Sequence, residues 1–299
     1  MSFEQTIRST AQCRGIGLHS GAPVNLLIHP APAGTGIVFR RVDLDGFAVE
    51  ADIRNLAKVS YATSLMKKGV LISTTEHLLS AFMGTGIDNA IVELDNLELP
   101  ILDGSAQPFV DMLLAAGLKQ QRRRRVCMRV VRKVEVREGD KFIAIYPADA
   151  YSVEYSINFP APIGRSAFEV ELSPALYRSE IAPARTFGFR KDEQAMRNMG
   201  LVRGASLENC IVMSASGPEN GPLRFADEFV RHKILDLIGD LALVGRRIIG
   251  RVVADRAGHA MHTALVQTLV RDHSVWEETP EEDHRPAAID AEATYTLRG

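Results

Sequence analysis

Two short stretches hold the side chains best suited to chemistry: Thr74-Thr75-Glu76-His77, and the run from Arg231 through His232, Lys233 and Asp236 to Gly239-Asp240. His232 and Asp236 stand four residues apart in a segment whose apolar positions, Phe229, Leu235, Ile238 and Leu241, recur at helical spacing. Side chains at i and i+4 share a helix face, so the imidazole and the carboxylate point the same way and offer two corners of a metal site. His77, from a different segment, offers a third corner. Glu76 beside it is a carboxylate that such a site does not require. Two histidines and one aspartate, with a fourth position open to water, form the donor set of a hydrolytic zinc centre. The pattern points to a metal-dependent hydrolase. Asp240 extends the row to i+8, where it fits a supporting carboxylate, and His259 opens a further segment after Gly258.

Bland explanations compete with this one. A His-x-x-x-Asp pair on a helix is commonly a surface or hydrogen-bonded structural pair. Ser73-x-x-Glu76 also fits a capping box, in which the glutamate reaches back to the N-cap amide. The residues alone leave cap and catalyst open. A His-Glu-x-x-His peptidase is excluded because the motif is absent, and the inverted form would need histidine where Ser73 stands. His19 lies in the glycine-rich turn Gly15–Gly21, either as a substrate contact or as a polar turn residue. His29, His262, His273 and His284 lack a partner pattern and read as structural or exposed.

The elements that must position these groups are strands broken by Gly and Pro, alternating with a few helices. In the first half, Gly17–Pro30, Gly36–Asp43 and Phe47–Ile53 read as strands, and Lys67-Lys68-Gly69 as a hairpin turn between Tyr61–Met66 and Val70–Ser73. A helix is expected from about Thr74 to Met83, a strand over Asn89–Leu94 and a second helix over Pro108–Ala116. In the second half, Val126–Val136, Lys141–Pro147 and Tyr151–Phe159 read as strands. Asp192–Asn198 reads as a short helix, Cys210–Ser214 as a strand, Ala226–Val244 as a long helix stopped by Gly245, Ile248–Ala254 as a strand, and His259–Val270 as a last helix. Both halves lead from a histidine near a helix start through a glycine stop into an apolar strand, which suggests a duplicated α+β unit.

With 299 residues, 46% hydrophobic and 24% charged, the chain is long enough for two domains. A net charge of −2 argues against a general nucleic-acid binder, and the run Arg122–Arg125 reads as a solvated linker. Cys13, Cys127 and Cys210 form no Cys-x-x-Cys pair, which fits a reducing compartment and excludes a thiolate zinc cluster. No signal-peptide core opens the chain, and no apolar run approaches the ~18 residues of a membrane span. A cytoplasmic protein is expected.

Ordered blocks along the chain resemble one family. They are Gly15–Gly21, Ser73–His77, Gly86–Asn89, Pro100–Ser105, Ala184–Phe189, Phe229–Lys233 with Asp236, Gly239 and Asp240, and Gly258–Ala260. From about residue 5 to about 276 the chain is similar to the UDP-3-O-acyl-N-acetylglucosamine deacetylases, zinc amidases that commit a sugar nucleotide to lipid A synthesis in Gram-negative bacteria. The resemblance implies an α+β fold of two similar domains, each a helix layer on a β-sheet, with the active site between them. Residues 1–125 would contribute Glu76 and His77. Residues 126–276 would contribute His232, Asp236, His259 and an acyl-chain passage, and 277–299 would be a loosely ordered acidic tail.

It further implies His77, His232 and Asp236 as ligands of Zn2+ and Glu76 as the base acting on the attacking water. His259 would be the cation that stabilises the intermediate and protonates the leaving amine, with Asp240 holding its imidazole. Thr186 would donate a hydrogen bond to the oxyanion. His19, Lys141, Phe159 and Lys233 match positions lining the sugar-nucleotide site, and an insertion at about Phe187–Cys210 forms the apolar passage, placing Phe187 and Cys210 against substrate. Asn158 stands where Asp is expected near the uracil, and Arg256 where Lys is usual. The implied partner is the acylated UDP-amino sugar, with no nucleic acid and no transmembrane segment; a monomer is expected.

Overall fold

The computed structural model describes residues 2–57 and 61–281. Apolar side chains alternate through Pro23–Pro30 and Ala90–Leu94, and both strands turn one face, including Val24, Leu26, Ile28, Val92 and Leu94, fully into the core. They are inner strands of a five-stranded sheet ordered Ala11–Ile16, Pro23–Pro30, Ala90–Leu94, Ile37–Arg41, Phe47–Glu50. Only Ile37–Arg41 and Ala90–Leu94 in this sheet run parallel. A seven-stranded sheet is built around Arg247–Asp255, which pairs with Val126–Val130, Lys141–Tyr146 and Tyr151–Phe159. Val134–Glu138, Gly164–Glu171 and Trp276–Pro280 extend it. The fold class is α+β.

Four helices carry or support the site: α1 (Glu76–Thr85), α2 (Gln107–Ala115), α3 (Glu228–Leu241) and α4 (His259–Arg271). α1 ends where Gly86, at φ +84°, turns its amide back onto Phe82 and Met83. α1 packs on α3, and α3 rests on α4 and on Tyr151–Phe159. Leu78, Leu79 and Phe82 from α1 join Ile234, Leu235 and Ile238 from α3 in one buried apolar core.

The two helices touch backbone to backbone. A β-carbon placed on Gly239 would lie 2.0 Å from the Glu76 carbonyl oxygen, so no larger residue fits the crossing. Gly239→Ala is therefore expected to destabilise the fold by about 1–3 kcal/mol through overpacking and to displace Glu76. Denaturant titration checks this, and an unchanged midpoint would mean the helices are free to separate.

The sequence reads Val126–Val136 as one strand, but the structure breaks it at Val131–Lys133. There the Val131 and Arg132 amides both bond to the Val275 carbonyl, so the chain leaves one neighbour before joining the next. The arginine run is not a linker. Leu118–Arg124 is a strand paired antiparallel with Phe3–Ile7. Arg125 is buried and forks between Asp88 and Glu281, 2.6 Å from each. The acidic tail begins inside the sheet, since Trp276–Pro280 pairs with Val126–Val130. Residues 282–299, His284 among them, lie outside the described residues.

Candidate active site

α1 and α3 bring three predicted ligands together. His77 Nε2 lies 3.6 Å and His232 Nε2 3.3 Å from Asp236 Oδ1, and all three side chains are buried. The two imidazoles meet edge to face, 5.1 Å between centroids. His232 Nδ1 is 3.1 Å from the Ala184 carbonyl oxygen, which places its proton there. Burial pushes this ring down to about 3, so it stays neutral despite Asp236. Its Nε2 is then an acceptor facing a carboxylate oxygen, also an acceptor. A shared cation resolves that conflict. Ligand atoms around a tetrahedral zinc at about 2.0–2.1 Å stand about 3.3–3.4 Å apart, so the spacing of this donor set fits such an ion. Lys233 Nζ takes the remaining oxygen of Asp236 at 2.5 Å.

Glu76 is the first residue of α1. Its carboxylate does not cap the helix: it accepts the Thr63 amide at 3.1 Å. The Ser73 hydroxyl is engaged with Ser64 Oγ at 2.9 Å, and the N-cap is Thr75. The capping-box reading therefore fails. Burial pushes the Glu76 carboxyl up to about 7, against the pull of His259 and His77. His259 shows the opposite balance. Burial disfavours its charge, but the hydrogen-bonded Asp240, with Asp236 and Glu76, holds the ring up at about 9. His259 Nδ1 is 2.7 Å from Asp240 Oδ2, and its Nε2 lies 3.9 Å from Asp236 Oδ2, toward the metal cluster. Both groups are shifted upward, the carboxyl by burial and the imidazole by its carboxylate partners, so a carboxyl near neutrality stands beside an imidazolium and the two can serve as base and acid.

The sequence reading misses two members of this group. His262 is completely buried, with Nδ1 2.8 Å from Asp240 Oδ2; the i, i+3 spacing from His259 was the available sign. Thr63 gives its hydroxyl to Asp240 Oδ1 from a loop with no motif.

The expected substrate contacts fall into separate groups. Phe187 stacks on Phe159 at 5.3 Å, on Phe229 at 4.8 Å and on His232 at 6.3 Å, forming an aromatic wall at the metal cluster. Thr186 follows Ala184 by two residues and is tied by its backbone to Gly104 and Ile211. His19 is set by Glu98, which accepts the His19 and Ser20 amides and the Thr74 hydroxyl, linking this turn to the start of α1. Cys210 lines an apolar cavity of about 140 Å³ with Phe189, Met196, Val202, Leu207 and Val212. Phe187 stands outside that lining. Lys141 is exposed at its strand start and makes no hydrogen bond to the cluster among the described residues. Nearby, Arg256 pairs with Asp140 at 2.7 Å and Asp255 at 2.8 Å.

Residues 4–271 match the family model described as UDP-3-O-acyl N-acetylglycosamine deacetylase. The chain is similar to the UDP-3-O-acyl-N-acetylglucosamine deacetylase of Solibacter usitatus (strain Ellin6076), 54% identical over 278 residues that cover 93% of this chain and 94% of that protein. The protein of the same name from Xylella fastidiosa (strain Temecula1 / ATCC 700964) is 44% identical over 282 residues, 93% of each chain. That of Cellvibrio japonicus (strain Ueda107) is 41% identical over 296 residues, 97% of each. With its whole site-bearing length matched by the model and by relatives well above 30% identity, the chain belongs to the UDP-3-O-acyl N-acetylglycosamine deacetylase family.

Proposed function

We propose that the protein removes the N-acetyl group of UDP-3-O-acyl-N-acetylglucosamine by hydrolysis, giving acetate and the free 2-amino sugar nucleotide, the committed step of lipid A synthesis. The observation that carries this reading is the buried convergence of His77, His232 and Asp236, with Glu76 and the His259–Asp240 pair beside it. These three residues would hold Zn2+, which supplies Lewis acidity: it lowers the pKa of water toward ~7 and polarises the amide carbonyl.

The remaining work falls to the chain's own side chains. Glu76, buried and raised toward neutrality, takes a proton from the attacking water. Thr186 donates to the oxygen that gains charge as the carbonyl carbon becomes tetrahedral. His259, protonated at neutral pH, stabilises that charge and delivers its Nε2 proton to the nitrogen as the C–N bond breaks. Asp240 holds the ring by Nδ1 throughout. His19, Lys141, Phe159, Phe187 and Lys233 would bind the sugar nucleotide, and the cavity at Cys210 would take the acyl chain. We read residues 1–125 and 126–276 as two units, since the five-stranded sheet draws its strands only from the first and the seven-stranded sheet from the second, with Trp276–Pro280 carrying it just past 276. Among the described residues no helix is long and apolar enough to cross a membrane; action as a cytoplasmic monomer belongs to the same proposal.

The test is acetate release from the acylated sugar nucleotide before and after chelation. Chelation is expected to abolish turnover, zinc to restore it, and the cooperative thermal transition to survive, because the apolar core is continuous without the ion. If metal removal unfolds the protein, the site is structural and the proposal is wrong.

A further inference from the structure

Asp240 has no exposed surface, and three donors converge on it. The Thr63 hydroxyl binds Oδ1, while His259 Nδ1 at 2.7 Å and His262 Nδ1 at 2.8 Å both bind Oδ2. Only His259 faces the metal cluster; His262 is sealed behind it. The rings stand at 74° with centroids 5.9 Å apart, so they reach one oxygen from different directions. His262 is held at its other end as well. Its Nε2 lies 3.1 Å from the Tyr155 hydroxyl oxygen, which is 2.6 Å from the Ala257 carbonyl oxygen.

These contacts fix the ring's place. Nδ1 faces a carboxylate and carries a proton, while the phenol, which burial keeps protonated, gives its own proton to the Ala257 carbonyl and sets its oxygen beside Nε2. The trio of Asp240, His259 and His262 has the composition of a metal site. Its contacts are shorter than the ~3.3 Å between atoms that share a zinc, so protons occupy it. The charged and titratable groups around His262 are Asp240 from α3, His259 from its own helix, Tyr155 from the strand beneath and Lys233 further along α3.

We propose that His262 is a positioning residue for the proton donor: its Nδ1–H, with the ring braced by Tyr155, fixes the rotation of the Asp240 carboxylate, so that His259 meets an oriented partner. The proposal rests on reading His259 as the group that protonates the leaving amine. Without His262, the carboxylate keeps Thr63 on Oδ1 and His259 on Oδ2 but loses the contact that holds its rotation. The His259 ring then loses the orientation that aims its Nε2 at the His77–His232–Asp236 cluster.

The experiment compares zinc-loaded wild type with His262→Leu, His262→Asn and His262→Gln. It measures kcat and KM of acetate release and determines the crystal structure of each protein. Leucine offers no donor. Asparagine places its amide nitrogen where Nδ1 stands, whereas glutamine places its own near Nε2. His262→Leu is expected to lower kcat by about 10–100-fold with KM unchanged, and its crystal structure to show the Asp240 carboxylate rotated off His259. His262→Asn is expected to restore the carboxylate's orientation and most of kcat, and His262→Gln neither. An unmoved Asp240 in His262→Leu, or rescue by glutamine equal to that by asparagine, overturns the proposal. If the leucine variant does not fold, the asparagine–glutamine comparison decides alone. If wild type releases no acetate, the deacetylase reading fails, while the crystal structures still decide what His262 does.

Discussion

Glu76→Gln is expected to lower kcat by about 10²–10⁴-fold in a protein that folds and binds metal as the wild type does. The amide keeps an oxygen for the Thr63 amide, the one backbone donor the carboxylate receives. What it loses is the capacity to take a proton. Steady-state kinetics, metal content and thermal denaturation together check this. A variant that turns over normally but melts early would return Glu76 to a structural role. The pH dependence has a definite sign: a base works when ionised, so activity rises with pH through the Glu76 pKa. Burial, against the pull of His259 and His77, sets that value at about 7, and a dication held by His77 would move it lower.

The second large effect is expected at His259. His259→Gln should lower kcat by about 10²–10⁴-fold with metal content unchanged, because the ring contacts the site without belonging to the ligand trio. Its raised pKa of about 9 means that wild-type activity falls as pH rises through that value and the cation is lost. The glutamine variant should lack this fall. The limbs describe the coupled site rather than single residues. A linked stability effect follows: the raised pKa gives His259 a stabilising contribution that is complete below about pH 6.5 and lost as pH rises through 9. Near-normal turnover with an unaltered alkaline limb would assign proton delivery elsewhere, with Lys233 the next cation to vary.

How far the sequence reveals the site depends on how local each contact is. His232 and Asp236 are legible because a helix turns i and i+4 onto one face, and Asp240 continues the row. The choice between base and cap at Glu76 is not legible, since the cap depends on whether the helix starts at Ser73 or at Glu76, and Thr63, from a loop, takes the carboxylate away from the helix end. His262 is misread because its partners, Asp240 and Tyr155, come from another helix and a strand. The strand Leu118–Arg124 is hidden for a different reason. Its arginines mask any alternation, and its partner Phe3–Ile7 lies more than a hundred residues away. The family blocks supply much of the remaining assignment, because they record distant contacts that periodicity cannot.

α3 holds Asp236, one of the three proposed metal ligands, and Asp240, hydrogen-bonded to the proposed proton donor His259, four residues apart on one rod. At 1.5 Å per residue that is about 6 Å along the axis, a length fixed by covalent geometry and hydrogen bonds rather than by loops. In the proposed mechanism the helix is thus a ruler between the place where the carbonyl is activated and the place where the amine is released. Loops that meet the acyl chain or the nucleotide can change in length and sequence without resetting that distance. The ruler itself tolerates no such change: one residue inserted between the two aspartates would swing Asp240 about 100° around the axis and point it away from His259.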